Sequence, residues 1–256
     1  MKDLTITSWN VNSLNVRQEQ VLAYLEEYQP DVLGLQELKQ TTDAVRTQDF
    51  IDAGWHIVAY GQKTYNGVAL ISKQPLENVV CGFPGIEDPQ ARAIAGTIDG
   101  VRILNLYVPN GKKVGDEKYL YKLGWLEQLH DYAEQILKDH DKLVIIGDFN
   151  IAPADLDVHD PEAWAGKILC SEPERSALEK LLALGFTDAF RGQYPEQQTF
   201  SWWDYRMGGL RRNLGLRIDL TLTSNALSVK DAGIHIEPRK QERPSDHAPA
   251  WVTVSA

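Results

Sequence analysis

The sequence predicts an α/β protein of two stacked sheets with helices on their outer faces, and three observations carry that expectation. Short apolar runs separated by turn residues recur about a dozen times, more strands than one singly wound sheet uses. Amphipathic helical stripes are fewer, so the helices are left to cover the outer faces of the sheets. At 256 residues and 43% hydrophobic composition the chain is long enough for one large core, and residues 1–256 are expected to form a single domain.

In chain order, Leu4 to Trp9, Val32 to Leu35, His56 to Tyr60, Val68 to Ile71 and Ala91 to Ile98 read as strands, followed by Val101 to Val108, Leu143 to Ile146, Ile218 to Leu222 and Ala250 to Val254. After Asn15, the residues Val21, Leu22, Leu25 and Tyr28 make one apolar helical stripe. Leu120, Leu123, Leu126, Leu129, Ala133, Ile136 and Leu137 make a longer one. A third helix follows Ser171, with Pro173 in its first turn, Leu178, Leu181 and Leu182 on one face, and Gly185 past its end. No internal repeat, linker or low-complexity tract interrupts this order.

A net charge of -10 argues against a protein whose main task is gripping nucleic acid. Basic clusters at Lys112-Lys113, Arg211-Arg212, Arg217 and Arg239-Lys240 with Arg243 fall in segments rich in Gly, Asn and Pro, which read as rim loops; such clusters are usually solvated faces. Cys81 and Cys170 are far apart and lack a C-x-x-C spacing, so neither a disulfide framework nor a zinc site is expected, and both read as core or inert thiols. The N-terminus has no apolar stretch of signal-peptide length and no segment approaches a membrane-spanning run, so a soluble, cytoplasmic protein without a membrane partner is expected.

The chemistry begins at Leu143-Val144-Ile145-Ile146-Gly147-Asp148-Phe149-Asn150, a strand apolar on both faces that ends on a glycine, an aspartate and an asparagine. Asp148 and Asn150 are two apart, so an extended backbone points both side chains the same way. Taken alone, Asp and Asn after a strand make a turn by capping local backbone groups. Other strands end in the same manner: Ile6-Thr7-Ser8-Trp9-Asn10, Val32-Leu33-Gly34-Leu35-Gln36-Glu37 and Arg217-Ile218-Asp219, with Asp246-His247 just before the last strand. Carboxylates and an amide without cysteine make a hard oxygen site, suited to Mg²⁺ or Mn²⁺ rather than zinc, and such ions polarise phosphoryl oxygens.

In this order, Ser8-Trp9-Asn10-Val11-Asn12, Leu35-Gln36-Glu37, Tyr65-Asn66-Gly67-Val68-Ala69, Leu106-Tyr107-Val108-Pro109-Asn110-Gly111, Gly147-Asp148-Phe149-Asn150, Gly215-Leu216-Arg217-Ile218-Asp219 and Ser245-Asp246-His247 resemble the exonuclease III family of DNA-repair nucleases, within the endonuclease/exonuclease/phosphatase superfamily. The resemblance runs essentially end to end. It implies a four-layer α/β/β/α sandwich of two mixed sheets flanked by helices, with the site at the strand ends between the sheets. By matching motif position, Glu37 binds the main Mg²⁺, for which Mn²⁺ can substitute, assisted by Asn10 and Asp246. Asp148, held by Asn150, aligns or deprotonates the attacking water; His247 bonds a non-bridging phosphate oxygen with Asp219 fixing its tautomer; Tyr107 donates to the phosphate or leaving group. Independently of the family, phosphoester hydrolysis needs an in-line water, neutralised phosphate charge and a stabilised leaving oxygen.

Superfamily members also cleave phosphoinositides and sphingomyelin, so the substrate must be read elsewhere. Thr199-Phe200-Ser201-Trp202-Trp203-Asp204-Tyr205-Arg206 resembles the aromatic loop of the repair nucleases, and Leu216 and Ile218 match positions lining their small apolar pocket. Trp202 with Leu216 and Ile218 is expected to receive a base-free sugar or terminal nucleotide, the other reading being core aromatics under a loop. Arg206, Arg211, Arg212 and Arg217 are expected to meet backbone phosphates. In the loop Asp157 to Lys167, His159 and Trp164 with Asp160 and Glu162 stand where many abasic-site endonucleases carry smaller polar and basic residues, so this loop is expected to select substrate. The expected partner is double-stranded DNA with damaged or recessed 3' ends, met by a monomer, with abasic-site incision secondary. A full abasic-site endonuclease, a phosphatase of small or lipid-derived phosphoesters and a non-catalytic DNA-binding module are the competing readings.

Overall fold

The computed structural model describes residues 3–255. The chain runs β1 (Asp3–Asn10), α1 (Leu14–Tyr28), β2 (Val32–Gln36), α2 (Thr47–Asp52), β3 (His56–Tyr60), β4 (Val68–Ser72) and β5 (Glu77–Cys81). It continues through β6 (Ala93–Ile98), β7 (Val101–Tyr107), α3 (Glu117–Asp139), β8 (Leu143–Asp148), α4 (Pro161–Trp164), α5 (Glu172–Ala183), β9 (Phe186–Asp188) and α6 (Ala189–Gln193). The last part holds a short hairpin, β10 (Trp202–Trp203) with β11 (Gly215–Leu216), then β12 (Asp219–Ser224), β13 (Ser228–Ile234) and β14 (Ala250–Ser255).

Two six-stranded sheets form, in the orders β13-β14-β1-β2-β4-β3 and β5-β6-β7-β8-β12-β9. Each is mixed, with one parallel pair, β1 with β2 and β7 with β8, among antiparallel neighbours. Alternation along the strands builds the layers: Ile103, Val144 and Ile146 face the inter-sheet core with Ile6, Val32 and Val252, while Leu104, Leu143 and Ile145 face α3 and α5. On the other side Trp9, Leu33 and Leu35 pack against α1. The four-layer α/β/β/α sandwich is the architecture observed.

The sheets approach closely where the site will form. A Cβ on Gly34 would lie 2.6 Å from Ile146 Cδ1 and 2.8 Å from Asn105 Cγ, so only glycine lets β2 meet the facing sheet. One step along, Gln36 Nε2 donates to Asn105 Oδ1 at 2.6 Å and Ser8 Oγ at 3.0 Å, while Asn105 Nδ2 donates to the Leu35 and Ala69 carbonyls, a buried polar tie between the sheets. Gly34→Ala is expected to destabilise the fold by about 1–3 kcal/mol through overpacking, read as a lower urea midpoint at unchanged m-value.

Several elements depart from the sequence pattern. β5 and β13 escape it because they are edge strands bearing Glu77, Lys230 and Asp231, which blunt an exposed edge but break the apolar alternation. In α3 the inward face is Tyr119, Lys122, Trp125, Leu126, Leu129, Tyr132, Ala133 and Ile136, so the face is rotated from the expected leucine stripe and Leu120 is 64% exposed. Cys170 is buried, but Cys81 lies exposed on the β5 edge, not in the core. No helix of the described residues is long and apolar enough to cross a membrane.

Candidate active site

The parallel pairs bring the chemistry together. In β1/β2 the register ends with Asn10 opposite Gln36, which delivers Glu37 one residue later; in β7/β8 it ends with Tyr107 opposite Asp148. Antiparallel β12 starts there too, with Asp219 opposite Asp148, and His247 comes in just before β14. Gly147 makes the approach of β8 to β7 feasible, since a Cβ at this position would lie 2.1 Å from the Leu106 carbonyl oxygen.

Asp148 is buried and hydrogen-bonded on both oxygens. Oδ1 accepts the Asn150 N–H at 2.9 Å, and Oδ2 accepts from Asn10 Nδ2 at 2.9 Å and Asn150 Nδ2 at 3.2 Å. Asn150 sits at φ +50°, a left-handed conformation that asparagine tolerates, and this curls its amide back onto Asp148. His247 Nδ1 meets Asp219 Oδ2 at 2.9 Å, which leaves Nε2 3.7 Å from Asp148 Oδ2. Ser201 Oγ donates to Asp219 at 2.6 Å, and Ser245 Oγ both donates to the Asn10 carbonyl at 2.6 Å and accepts the His247 N–H at 3.2 Å. The result is an Asp219–His247–Asp148 relay anchored at both ends.

Burial opposes the imidazolium of His247, but Asp219 and Asp148 outweigh it and push its pKa up to about 10. Burial also holds the Asp148 carboxyl above the usual range, against the lowering pull of His247, with Asp219 adding to the rise. The Tyr107 hydroxyl is driven well above its ordinary value by burial first, then by Glu37 and Asp148, so it stays protonated and serves as a donor. Arg92 lies over the Tyr107 ring, 4.9 Å from its centroid.

Glu37, Asp148 and His247 each place a ligand-capable atom within 4.8 Å of the others. With both His247 nitrogens facing carboxylates, the donors that suit a cation are the Glu37 and Asp148 oxygens, a hard set appropriate to Mg²⁺ or Mn²⁺. Asn10 and Asp246 are placed differently from the expected ligand set. The Asn10 oxygen accepts the Asn12 N–H at 2.9 Å, which turns its NH₂ toward Glu37 Oε1 and Asp148 Oδ2, so it spaces the carboxylates as a donor. Asp246 accepts from Asn12 Nδ2 at 2.9 Å and Trp202 Nε1 at 3.0 Å and stands outside the cluster.

Lys39 joins the site without being among the expected residues: its Nζ lies 2.9 Å from Glu37 Oε2 and also donates to Asn12 Oδ1. The signal was present, since Lys39 follows Glu37 at the same two-residue spacing that links Asp148 to Asn150.

Among the expected DNA contacts Arg217 needs correction, and Arg239 of the rim clusters with it. Arg217 is 1% exposed, its guanidinium clamped by Asp157 at 2.7 Å and Asp188 at 2.7 Å, so it holds the loop after β8 onto β11 and meets no phosphate. Leu216 and Ile218 are likewise buried, packed with Val158, Leu169 and Cys170 as a floor on which Trp164 and Trp202 rest half-buried. Arg239, read as part of a rim cluster, is buried and donates to the Ser245 and Trp203 carbonyls. Arg206, Arg211 and Arg212 are exposed, Arg206 paired with Asp204 at 2.7 Å. His159 is half-buried, with Nδ1 3.1 Å from the Gly215 carbonyl, and meets the Trp164 ring edge-on at 6.3 Å. Tyr107 also lines a cleft of about 750 Å³ together with Tyr65, Arg92, Asn110, Lys112 and Lys118.

An Asp219–His247–Asp148 array beside the Glu37 carboxylate, at the strand ends of an α/β/β/α sandwich, is an arrangement suited to a phosphoesterase. The chain belongs to the Endonuclease/Exonuclease/phosphatase family, which it matches over residues 7–247. It is 38% identical to exodeoxyribonuclease III of Haemophilus influenzae, over 95% of this chain and 97% of that protein. Its structure resembles that of the 3' phosphatase NExo from Neisseria bound to a product DNA hairpin, with a TM-score of 0.96, 46% identity and coverage of 97% of this chain and 98% of that one. It also resembles an AP endonuclease from Archaeoglobus fulgidus, with a TM-score of 0.94, 38% identity and coverage of 97% and 98%.

Proposed function

We propose that the protein is a metal-dependent DNA-repair phosphoesterase of the exonuclease III type, acting as a cytoplasmic monomer on 3' ends of duplex DNA as 3'-phosphatase, 3'-phosphodiesterase and 3'-to-5' exonuclease. The observation that carries this reading is the Asp219–His247–Asp148 relay beside Glu37, all on strand ends at one mouth. Glu37, with the Asp148 carboxylate beside it, would hold the ion, Mg²⁺ with Mn²⁺ as substitute, which when bound would neutralise phosphate charge. Asp148, kept fixed by Asn10 and Asn150, takes the proton of the attacking water. His247 supplies positive charge to a phosphate oxygen through Nε2, and Tyr107 donates to the phosphate or the leaving oxygen. Asp219→Asn is expected to lower the His247 pKa and move the alkaline limb of the rate profile to lower pH, read from kcat/KM against pH.

DNA comes to this mouth through Trp202 with the exposed Arg206, Arg211 and Arg212, and through the Tyr107 cleft with Arg92, Lys112 and Lys118, local positive charge on an acidic protein. His159 and Trp164 stand on the loop beside the Trp202 floor, which favours ends over duplex running past the site. His159→Ala with Trp164→Ala is expected to raise incision at an internal abasic site relative to 3'-phosphate removal by at least about threefold; an unchanged ratio assigns selection elsewhere. The reading as a whole is tested with three end-labelled duplexes, bearing a 3'-phosphate at a nick, a recessed 3'-hydroxyl and an internal abasic site, in Mg²⁺ or EDTA. Mg²⁺-dependent product on the first two, with slower cutting of the third, is expected; product on none overturns it.

A further inference from the structure

Lys122 on α3 and Glu174 in the first turn of α5 have no exposed side-chain surface, and they form an ion pair. A buried ammonium is costly unless each of its three N–H groups finds an acceptor. Lys122 Nζ finds all three: Glu174 Oε1, the Asn150 carbonyl at 2.6 Å and the Asn110 carbonyl at 3.3 Å. Glu174 is equally engaged, accepting the Leu169 N–H at 3.1 Å, the Ser171 N–H at 3.1 Å and the Ser171 hydroxyl at 2.6 Å.

Such a pair is a poor stabilising device, because desolvation offsets its attraction and neutral groups of similar volume replace it at little cost. What it does hold is specific. Asn150 is the residue whose N–H and amide grip Asp148, and Asn110 Nδ2 donates to Asn150 Oδ1 at 3.0 Å, while Asn150 Nδ2 also donates to the Val108 carbonyl at 3.0 Å. Every polar atom of Asn150 therefore has a partner, and the partner of its carbonyl is Lys122. That carbonyl is the only one of these groups bound from outside the two strand-end loops.

We infer that Lys122 and Glu174 are a positioning pair, tying α3 and α5 to Asn150 and Asn110 so that the Asp148 carboxylate is held in its reactive orientation. The inference deepens the proposed function and rests on Asp148 being the water-activating group. Misplacement of such a group by about an ångström costs up to a hundredfold in rate without weakening substrate binding.

The test uses Lys122→Met and the double variant Lys122→Met/Glu174→Gln, in which neither position carries a charge and the glutamine oxygen still receives Ser171. Thermal midpoint, kcat and KM on a 3'-phosphate nick, and the ¹H–¹⁵N signals of the Asn150 side-chain amide are measured. The double variant is expected to regain a thermal midpoint within about 5 °C of the wild type, yet keep kcat at least about tenfold down at KM within about twofold, with displaced Asn150 amide signals. A double variant with wild-type kcat, or with kcat rising in step with its thermal midpoint, overturns the inference. Failure of the broader functional reading shows as wild-type protein inert on DNA, and in that event the Asn150 signals decide: displacement supports the pair's role and unmoved signals refute it.

Discussion

Asp148→Ala is expected to lower kcat on a 3'-phosphate nick by at least about a hundredfold, the contribution typical of a positioned general base. The expectation follows from placement. The carboxylate is buried, it accepts three hydrogen bonds from Asn10 and Asn150, and it faces both Glu37 and His247 Nε2. Burial raises its proton affinity toward that required of a base working near neutral pH. Alanine removes the proposed base and leaves the donors of Asn10 and Asn150 without their acceptor, so the variant's thermal midpoint is to be recorded beside its rate. Single-turnover assays at saturating DNA separate a chemical defect from a binding one, and near wild-type turnover in the folded variant removes Asp148 from the mechanism.

The second large effect is expected at His247. His247→Ala should cost at least about a hundredfold in kcat, because the positive charge proposed to meet the phosphate is lost while Asp148, Asp219 and Glu37 remain crowded together. Stability supplies an independent readout with a definite sign. The folded-state pKa of His247 lies above its ordinary value, at about 10 against 6.5, so its contribution is fully present below pH 6.5 and is lost as pH rises through about 10. Wild-type protein should accordingly lose urea resistance across that window, and His247→Ala should flatten that part of the curve. A variant with the same pH dependence as wild type contradicts the charged relay.

The site's skeleton was legible in the sequence because each chemical residue lies at the end of an apolar strand. Glu37, Asp148 and Asp219 are one step past or at the terminus of runs that the two-residue alternation marks plainly, and the Asp246-His247 pair precedes the final strand. The orientation of side chains was not legible. Asn10 reads as an oxygen ligand until the backbone N–H of Asn12 fixes its oxygen and turns its NH₂ toward the carboxylates. Arg217 reads as a phosphate contact in a basic loop, because nothing in the local sequence shows that Asp157 and Asp188 reach it from 60 and 29 residues away. Lys122 lies off the expected leucine stripe and is nonetheless among the largest fully buried side chains. For the fold the same division holds: central strands announce themselves by continuous apolar runs, whereas β5 and β13 are edges whose charged residues suit solvent and hide the pattern.

The central proposal is that the Asp219–His247–Asp148 relay beside Glu37 hydrolyses phosphoesters at DNA 3' ends. Phosphate release by the wild-type protein, measured side by side from a nicked duplex carrying a 3'-phosphate and from a soluble phosphoinositide, tests it most directly. The prediction is Mg²⁺-dependent release from the DNA, abolished by EDTA, with the phosphoinositide left intact. Turnover of the phosphoinositide beside unreacted DNA would contradict it.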